Sequence, residues 1–312
     1  MKATFPTKLL ARIPKKDTRE RSRSFRRLAT ATMPSLTQAE KAQRFLSLHH
    51  GPKILLLPNA WDVASACIFE DAGFPAVATS SAGVANSLGY PDGQKISRAE
   101  MLEVVSRIAR ALSVPVTADM EAGYGTTPDE MAETAHLVIA AGAVGLNLQD
   151  SVSEGSGKLY DIPLQQEKIR AMVEMGKKLG MPLVINARTD IYLEEIGEPA
   201  SRVEATAKRL NAYREAGALS LFAPGPKDAP TIEKLVRAVH GPLNILALKG
   251  GPSARELEKL GVARVSIGSG PMRASMGLTS RLAKHLRDVG TFDPMFEGQM
   301  TYIDANRLFE RH

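Results

Sequence analysis

One cysteine, Cys67, is all that 312 residues provide. That excludes an internal disulfide framework and fits a reducing compartment, so the expectation is a cytoplasmic protein. Aromatic residues make up only 5%, and no apolar run approaches the ~20 residues of a membrane-spanning helix. Histidine is scarce, six in all; with no histidine cluster and no CxxC spacing on the candidate strands, a zinc site is not indicated. No GxGxxG follows the first candidate strand, where a dinucleotide-binding half would carry it.

Acidic residues are missing from one place in particular. Residues 1–32, which include "KKDTRERSRSFRRLATAT", hold ten of the 40 Lys/Arg and two of the 34 acids. The basic balance of +6 therefore belongs to this segment, and residues 33–312 are slightly acidic. A nucleic-acid reading of the body loses its main support. The segment reads as a disordered basic arm, as residues preceding a true start at Met33, or as an organellar transit peptide; composition favours the first two.

From Lys53 onward short β-branched runs alternate with amphipathic stretches. The strand candidates are "KILLLPNA", "AVATSS", "VPVTAD", "VGLNLQD", "PLVINART", "LSLFAP", "PLNILAL" and "ARVSIGSG". Stretches such as "SRAEMLEVVSRIARAL" and "TPDEMAETAHLVIAAG" lie between them with helical spacing. Asp62 and Thr127 stand where helices begin, and Gly142, Gly180, Gly217 and Gly261 where they end. Parallel strands buried on both faces read as continuous apolar runs, as these do. Eight strand–helix units in about 250 residues predict an α/β fold, a TIM (β/α)8 barrel, as a single domain over 33–312.

In such a barrel the chemistry sits at the C-terminal strand ends. The first strand ends at Asn59, the second at Ser80–Ala82 with Asp92 in the loop beyond. The third ends at Asp119 and Glu121, the fourth at Gln149 and Asp150, the fifth at Arg188 and Asp190; the seventh carries Asn244. Asp119 and Glu121 are two apart and share a face of the strand. With Asp92 and Gln149 they form an oxygen-only set suited to Mg2+, or Mn2+, rather than Zn2+. Arg188 offers a planar fork to a substrate carboxylate. Taken singly, each residue has a plainer role. Asp119 and Glu121 read equally as solvated loop acids, and Arg188 with Asp190 as an ion pair on the rim. Asp62 reads as a helix cap, Asp150 as a surface or capping acid, and Cys67 as a small core residue. Convergence at one end of adjacent strands favours a site.

The segments "LLLPNAWDVASACIFEDAGFPAVATSSAGVANSLGYPDG", "VPVTADMEAGYG", "INARTD" and "GVARVSIGSGPMRA" resemble the isocitrate lyase / phosphoenolpyruvate mutase superfamily, in order, from about Thr37 to Leu286. The resemblance implies Mg2+ at the strand ends and a C-terminal helix exchanged between subunits of a homotetramer. By position Asp119 resembles the direct metal ligand, Glu121 and Asp92 the acids that hold metal-bound water, and Gln149 the metal-shell position that is commonly glutamate. Ser80, Ser81 and Ala82 match the loop that receives a substrate carboxylate, Arg188 matches the substrate-binding arginine, and Asn244 is a further substrate-binding candidate. Arg188, Asp92 and Glu121 are the catalytic candidates.

The loop "SVSEGSGKLYD" lacks the catalytic cysteine and histidine of isocitrate and methylisocitrate lyases. Its Gly/Ser content suits a mobile lid, with Glu154, Lys158 and Tyr160 as candidate acid–base groups. The function implied is Mg2+-dependent lyase or decarboxylase chemistry on a small 2-oxo or 2-hydroxy di- or tricarboxylate through a pyruvate-like enolate. The alternatives are P–C chemistry, as in a phosphonopyruvate hydrolase or phosphoenolpyruvate mutase, and a non-catalytic metabolite-binding barrel. No nucleic-acid or membrane partner is expected for the barrel. Deleting residues 1–32 is expected to remove any nucleic-acid binding, read by electrophoretic mobility shift, and to leave turnover unchanged.

Overall fold

The computed structural model describes residues 36–153 and 155–310; the basic segment 1–32 and Glu154 lie outside the described residues. Strand β1 (Leu55–Leu57) and strand β2 (Asn59–Ala60) are two halves of the first barrel strand. Pro58 parts them because it has no N–H to give to a ladder. The others are β3 (Val77–Thr79), β4 (Val116–Asp119), β5 (Gly145–Gln149), β6 (Val184–Arg188), β7 (Ser220–Ala223), β8 (Leu243–Leu246) and β9 (Arg264–Ser266). All pair in parallel, in the order β1-β9-β8-β7-β6-β5-β4-β3-β2. Since β1 and β2 are one strand, the order closes on itself, and the eight sequence-derived strands form the expected barrel.

Asn59 fastens the closure. Its Nδ2 donates to the Thr79 carbonyl at 2.9 Å, and its Oδ1 accepts from the N–H groups of Ile267 and Gly268, each at 2.9 Å. One side chain thus ties the first strand to both of its neighbours.

The helices are α1 (Gln38–Leu48), α2 (Val63–Asp71), α3 (Ser81–Ser87), α4 (Arg98–Ala111), α5 (Pro128–Ala140) and α6 (Ile162–Lys178). They continue as α7 (Arg202–Glu215), α8 (Ala229–Ala238), α9 (Ala254–Leu260), α10 (Gly270–Asp288) and α11 (Tyr302–Arg307). Asp62 caps α2, accepting from Ser65 N, and Thr127 caps α5 ahead of Pro128, as the sequence indicates. Gly142, Gly180, Gly217 and Gly261 all adopt positive φ at helix ends, where a Cβ would be strained. Cys67 is buried among Ala60, Ala66, Val77 and Ile108. Among the described residues no helix is long and apolar enough to cross a membrane.

Helix α1 closes the N-terminal end of the barrel. Ala42 and Phe45 pack on Leu55, Leu57, Ala78, Val144 and Val184, and Gln38 Nε2 donates to the carbonyls of Ile139 and Ala143. At its end His49 is buried edge-on to Phe45, with ring centroids 4.7 Å apart. Its Nδ1 lies 2.8 Å from the Phe45 carbonyl. Burial, and secondarily the charge of Arg264, push the imidazole down to about 3. The unfolded chain takes up this proton near 6.5 and the folded chain only near 3, so the unfolded state gains as pH falls between those values. Stability is expected to decline from pH 6.5 towards 3, with a shallower decline in His49→Leu, as measured by urea unfolding across that range.

Candidate active site

At the C-terminal end of the barrel a cavity of about 170 Å3 is lined by residues from most strands. The sequence-derived candidates Ser80, Ser81, Ala82, Asp92, Asp119 and Arg188 all reach it. Asp119 ends β4 with its carboxylate held from two sides. Oδ2 accepts from the Ser81 N–H at 3.1 Å and from Ser81 Oγ at 2.8 Å, while Asn147 Nδ2 is 3.4 Å from Oδ1. Ser80 caps α3, its Oγ accepting from Gly83 N. The adjacent Gly83 lies so close to Trp61 that an added Cβ would stand 2.8 Å from the Trp61 Cβ. Burial, reinforced by the like charge of Asp119, raises the Asp92 carboxyl above its ordinary range.

Glu121, Gln149 and Asn244 are buried but do not line the cavity. Glu121 follows the strand end with φ of 49°, and Tyr124 adopts 57°; both are in the left-handed region that non-glycine residues seldom occupy. Bonds from outside hold this loop in place: Thr134 Oγ1 donates to the Gly123 carbonyl, and Tyr124 N–H donates to Gln94 Oε1. The Tyr124 hydroxyl is 3.5 Å from Glu121 Oε1. Burial and then the charges of Glu121, Asp119 and Asp92 raise the pKa of this phenol well above its ordinary value. The three acids therefore share one electrostatic field, although only two of them face the cavity. Asn244 bonds to Ser266, which does line it.

Two residues escaped the sequence reading, Asn147 in the cavity lining and Arg264 behind it. Arg264, at the start of β9, is fully buried in the lumen. Its Nε donates to Ser266 Oγ at 3.3 Å and its Nη2 lies 3.5 Å from Asn147 Oδ1. Burial lowers the guanidinium to about 9, against the pull of Asp119. Asn147 also accepts from Asn186 Nδ2 at 2.7 Å, which fixes its amide so that Nδ2 faces Asp119. The signal available was period two: in "VGLNLQD" Asn147 and Gln149 share a face within an otherwise apolar run.

Residues 45–287 match the family model for phosphoenolpyruvate phosphomutase. The chain belongs to that family. Relatives of this phosphoenolpyruvate phosphomutase-family chain include a 2-methylisocitrate lyase of Escherichia coli, 30% identical over 258 residues, 78% of this chain and 83% of that one. An oxaloacetate decarboxylase of Pseudomonas paraeruginosa is 31% identical over 230 residues, 71% of this chain and 76% of that one. A crystal structure from Burkholderia cenocepacia J2315, described as a lyase/mutase, has a TM-score of 0.81 at 39% identity and covers 88% of this chain and 96% of that one.

In this member of the phosphoenolpyruvate phosphomutase family the loop after β5 is pinned at both feet. Ser151 bridges Leu159, and its Oγ donates to Asp190 Oδ2 at 2.7 Å. Asp190 Oδ1 pairs with Arg188 Nε at 2.5 Å. At the other foot Tyr160 N–H donates to the Asp150 carbonyl, and Arg209 Nη1 donates to the Tyr160 carbonyl. Lys158 and Tyr160 do not line the cavity, and Glu154 lies outside the described residues.

Asp150 departs from the expected surface or capping acid. It is fully buried, with Oδ2 accepting from the Tyr213 hydroxyl at 2.7 Å and from Arg209 at 3.2 Å, and Oδ1 accepting from Asp190 N–H at 3.0 Å. Its partners Arg209 and Tyr213 lie on α7, 59 and 63 residues away, beyond the reach of any local pattern. Removing one side of such a pair strands the other charge. Asp150→Ala is expected to lower unfolding stability by about 3 kcal/mol, measured by urea titration, and Asp150→Asn by less.

Proposed function

We propose that the chain is a divalent-cation-dependent lyase that breaks a carbon–carbon bond, by cleavage or decarboxylation, in a small 2-oxo or 2-hydroxy di- or tricarboxylic acid. The product side is a pyruvate-like enolate. One observation carries the reading: Asp92, Asp119 and Arg188 meet in a single cavity of about 170 Å3. That space is well below the ~300–1,000 Å3 of drug-sized pockets and suits a small acid.

Among the described residues no three Asp, Glu, His or Cys side chains cluster tightly enough to encase an ion. Mg2+ does not require that, since it keeps several waters and takes one or two carboxylates. The residues present fit it. The donors are all oxygen, and the repulsion between Asp92 and Asp119 is the kind a cation relieves. Asp119 would hold it directly and Asp92 would hold one of its waters, with Glu121 and Gln149 standing behind the cavity lining. When bound, the cation supplies Lewis-acid stabilisation of negative charge on the substrate's 2-oxygen.

The remaining work falls to the chain's own side chains. Arg188 offers its fork to a carboxylate, and Asp190 fixes the plane of that fork through Nε. Ser80, Ser81 and Ala82 line the same cavity. The loop between Ser151 and Tyr160, tied to Arg188 through Asp190, would exclude water on closing.

The test is a screen of oxaloacetate, substituted malates and phosphonopyruvate for pyruvate release, with and without EDTA. Turnover is expected to require Mg2+ or Mn2+, and Asp119→Ala is expected to reduce it more than about a hundredfold in folded protein. Turnover indifferent to both would overturn the reading, and phosphate release from phosphonopyruvate alone would move it to P–C chemistry.

We also propose a homo-oligomer. Only Met272 of α10 is buried, while Met276, Leu278 and Leu286 on that helix and Val289, Phe292 and Phe296 just beyond it are 44–62% exposed. So many exposed apolar side chains in one segment mark a surface that another molecule covers, and a second copy presenting the same segment is the occupant proposed. Sedimentation velocity is expected to show a dimer or tetramer that Leu286→Glu with Val289→Glu dissociates; a wild-type monomer would refute the assembly.

A further inference from the structure

Lys168 lies midway along α6 with its side chain fully buried. An ammonium in a protein interior costs several kcal/mol unless polar groups receive it, and an aliphatic side chain would fill the same space without that cost. Two groups receive it at contact distance, with the charges of Glu130 and Asp150 farther off. Its Nζ is 3.4 Å from the Ala122 carbonyl oxygen and 3.9 Å from the centroid of the Tyr160 ring.

These receivers belong to different loops. Ala122 directly follows Glu121 in the acid-bearing loop after β4, and Tyr160 is the second foot of the loop after β5. One turn earlier on the same helix Gln165, also buried, donates through Nε2 to the Gln149 carbonyl at 3.1 Å. A single face of α6 thus touches the acid loop, the end of β5 and the foot of the lid. The Tyr160 backbone is held independently by Asp150 and Arg209, so the ring–ammonium contact is a separate connection.

We propose that Lys168 is a positioning residue that couples the seating of the 151–160 lid to the placement of the Asp119–Glu121 segment. A carbonyl alone would fix the acid loop and a ring alone would fix the lid; one cation bound to both makes the two move together. With Tyr160 seated, the ammonium is drawn towards the ring and holds the Ala122 carbonyl at one distance. With the lid displaced, the same cation keeps the carbonyl and the more distant charges of Glu130 and Asp150 but loses the ring, and the acid loop, with two non-glycine residues in left-handed backbone, loses part of what holds it. This inference rests on reading Asp119 and Glu121 as the reacting end of the site.

The experiment is hydrogen exchange by mass spectrometry on the peptides covering 119–126 and 151–160, without substrate, in wild type, Lys168→Met, Tyr160→Leu and the double variant. Each single variant is expected to raise exchange in both segments, and the double to be no looser than either single, the signature of one shared contact. Where substrate turnover is measurable, kcat is expected to fall about tenfold with a smaller change in KM, and Lys168→Arg is expected to restore part of it. Loosening of the lid in Tyr160→Leu with wild-type exchange over 119–126 would overturn the coupling, as would additive effects in the double variant. If Lys168→Met does not fold, Tyr160→Leu decides by exchange alone, since its ring is only partly buried. Absence of turnover in every variant, wild type included, would count against the proposed lyase and leave the exchange result to decide the coupling.

Discussion

The site depends on holding negative charge at the mouth of a barrel whose interior has little room for water. The Asp119 carboxylate is tolerated there because Ser81 supplies two donors and Asn147 a third, with the buried guanidinium of Arg264 below. A barrel lumen is ordinarily packed with branched aliphatic side chains. Here Asn147, Asn186, Asn244, Arg264 and Ser266 occupy it and bond mainly to one another. Asn186 Oδ1 and Arg264 Nη1 are left without a hydrogen-bond partner, but the bonds that are made orient the network: the amide of Asn147 has one way to face, and that direction presents a donor to Asp119.

A second buried network lies one strand along. Asp190 joins the Arg188 guanidinium to Ser151, and Asp150 joins Asp190 to Tyr213, Arg209 and through them to Tyr160. The arginine placed to receive a carboxylate and both feet of the neighbouring loop are therefore parts of one set of hydrogen bonds. The physical consequence is that the orientation of Arg188 and the position of the loop are not independent, even though Ser151 and the Asp190 that joins them are 39 residues apart in the chain.

Much of the architecture was legible beforehand for simple reasons. Strands buried on both faces had to be continuous apolar runs, and eight of them between helical stretches left little choice but closure. Asp62 and Thr127 announced helix starts because an orphan N–H needs an acceptor there. The mouth residues Asp92, Asp119 and Arg188 were legible because polar residues at strand ends converge in this fold. Asp150 was misjudged as a surface or capping acid because its partners come from another helix. Arg264 and Lys168 gave no sign at all, since a cation in a strand or helix reads as solvent-facing until the surrounding elements are in place.

By itself, then, the sequence determined the class of fold, the end of the barrel where polar groups gather and the chemical character of that end, because these follow from local periodicity and residue type. Only the tertiary structure decided which acids face the cavity and which stand behind it, and which buried charges hold others in place. Hydrogen bonds and charge compensation are made across space between residues tens of positions apart. The left-handed turn at Glu121 takes the second acid off the strand's face, so the period-two rule that joined it to Asp119 stops at the last residue of β4.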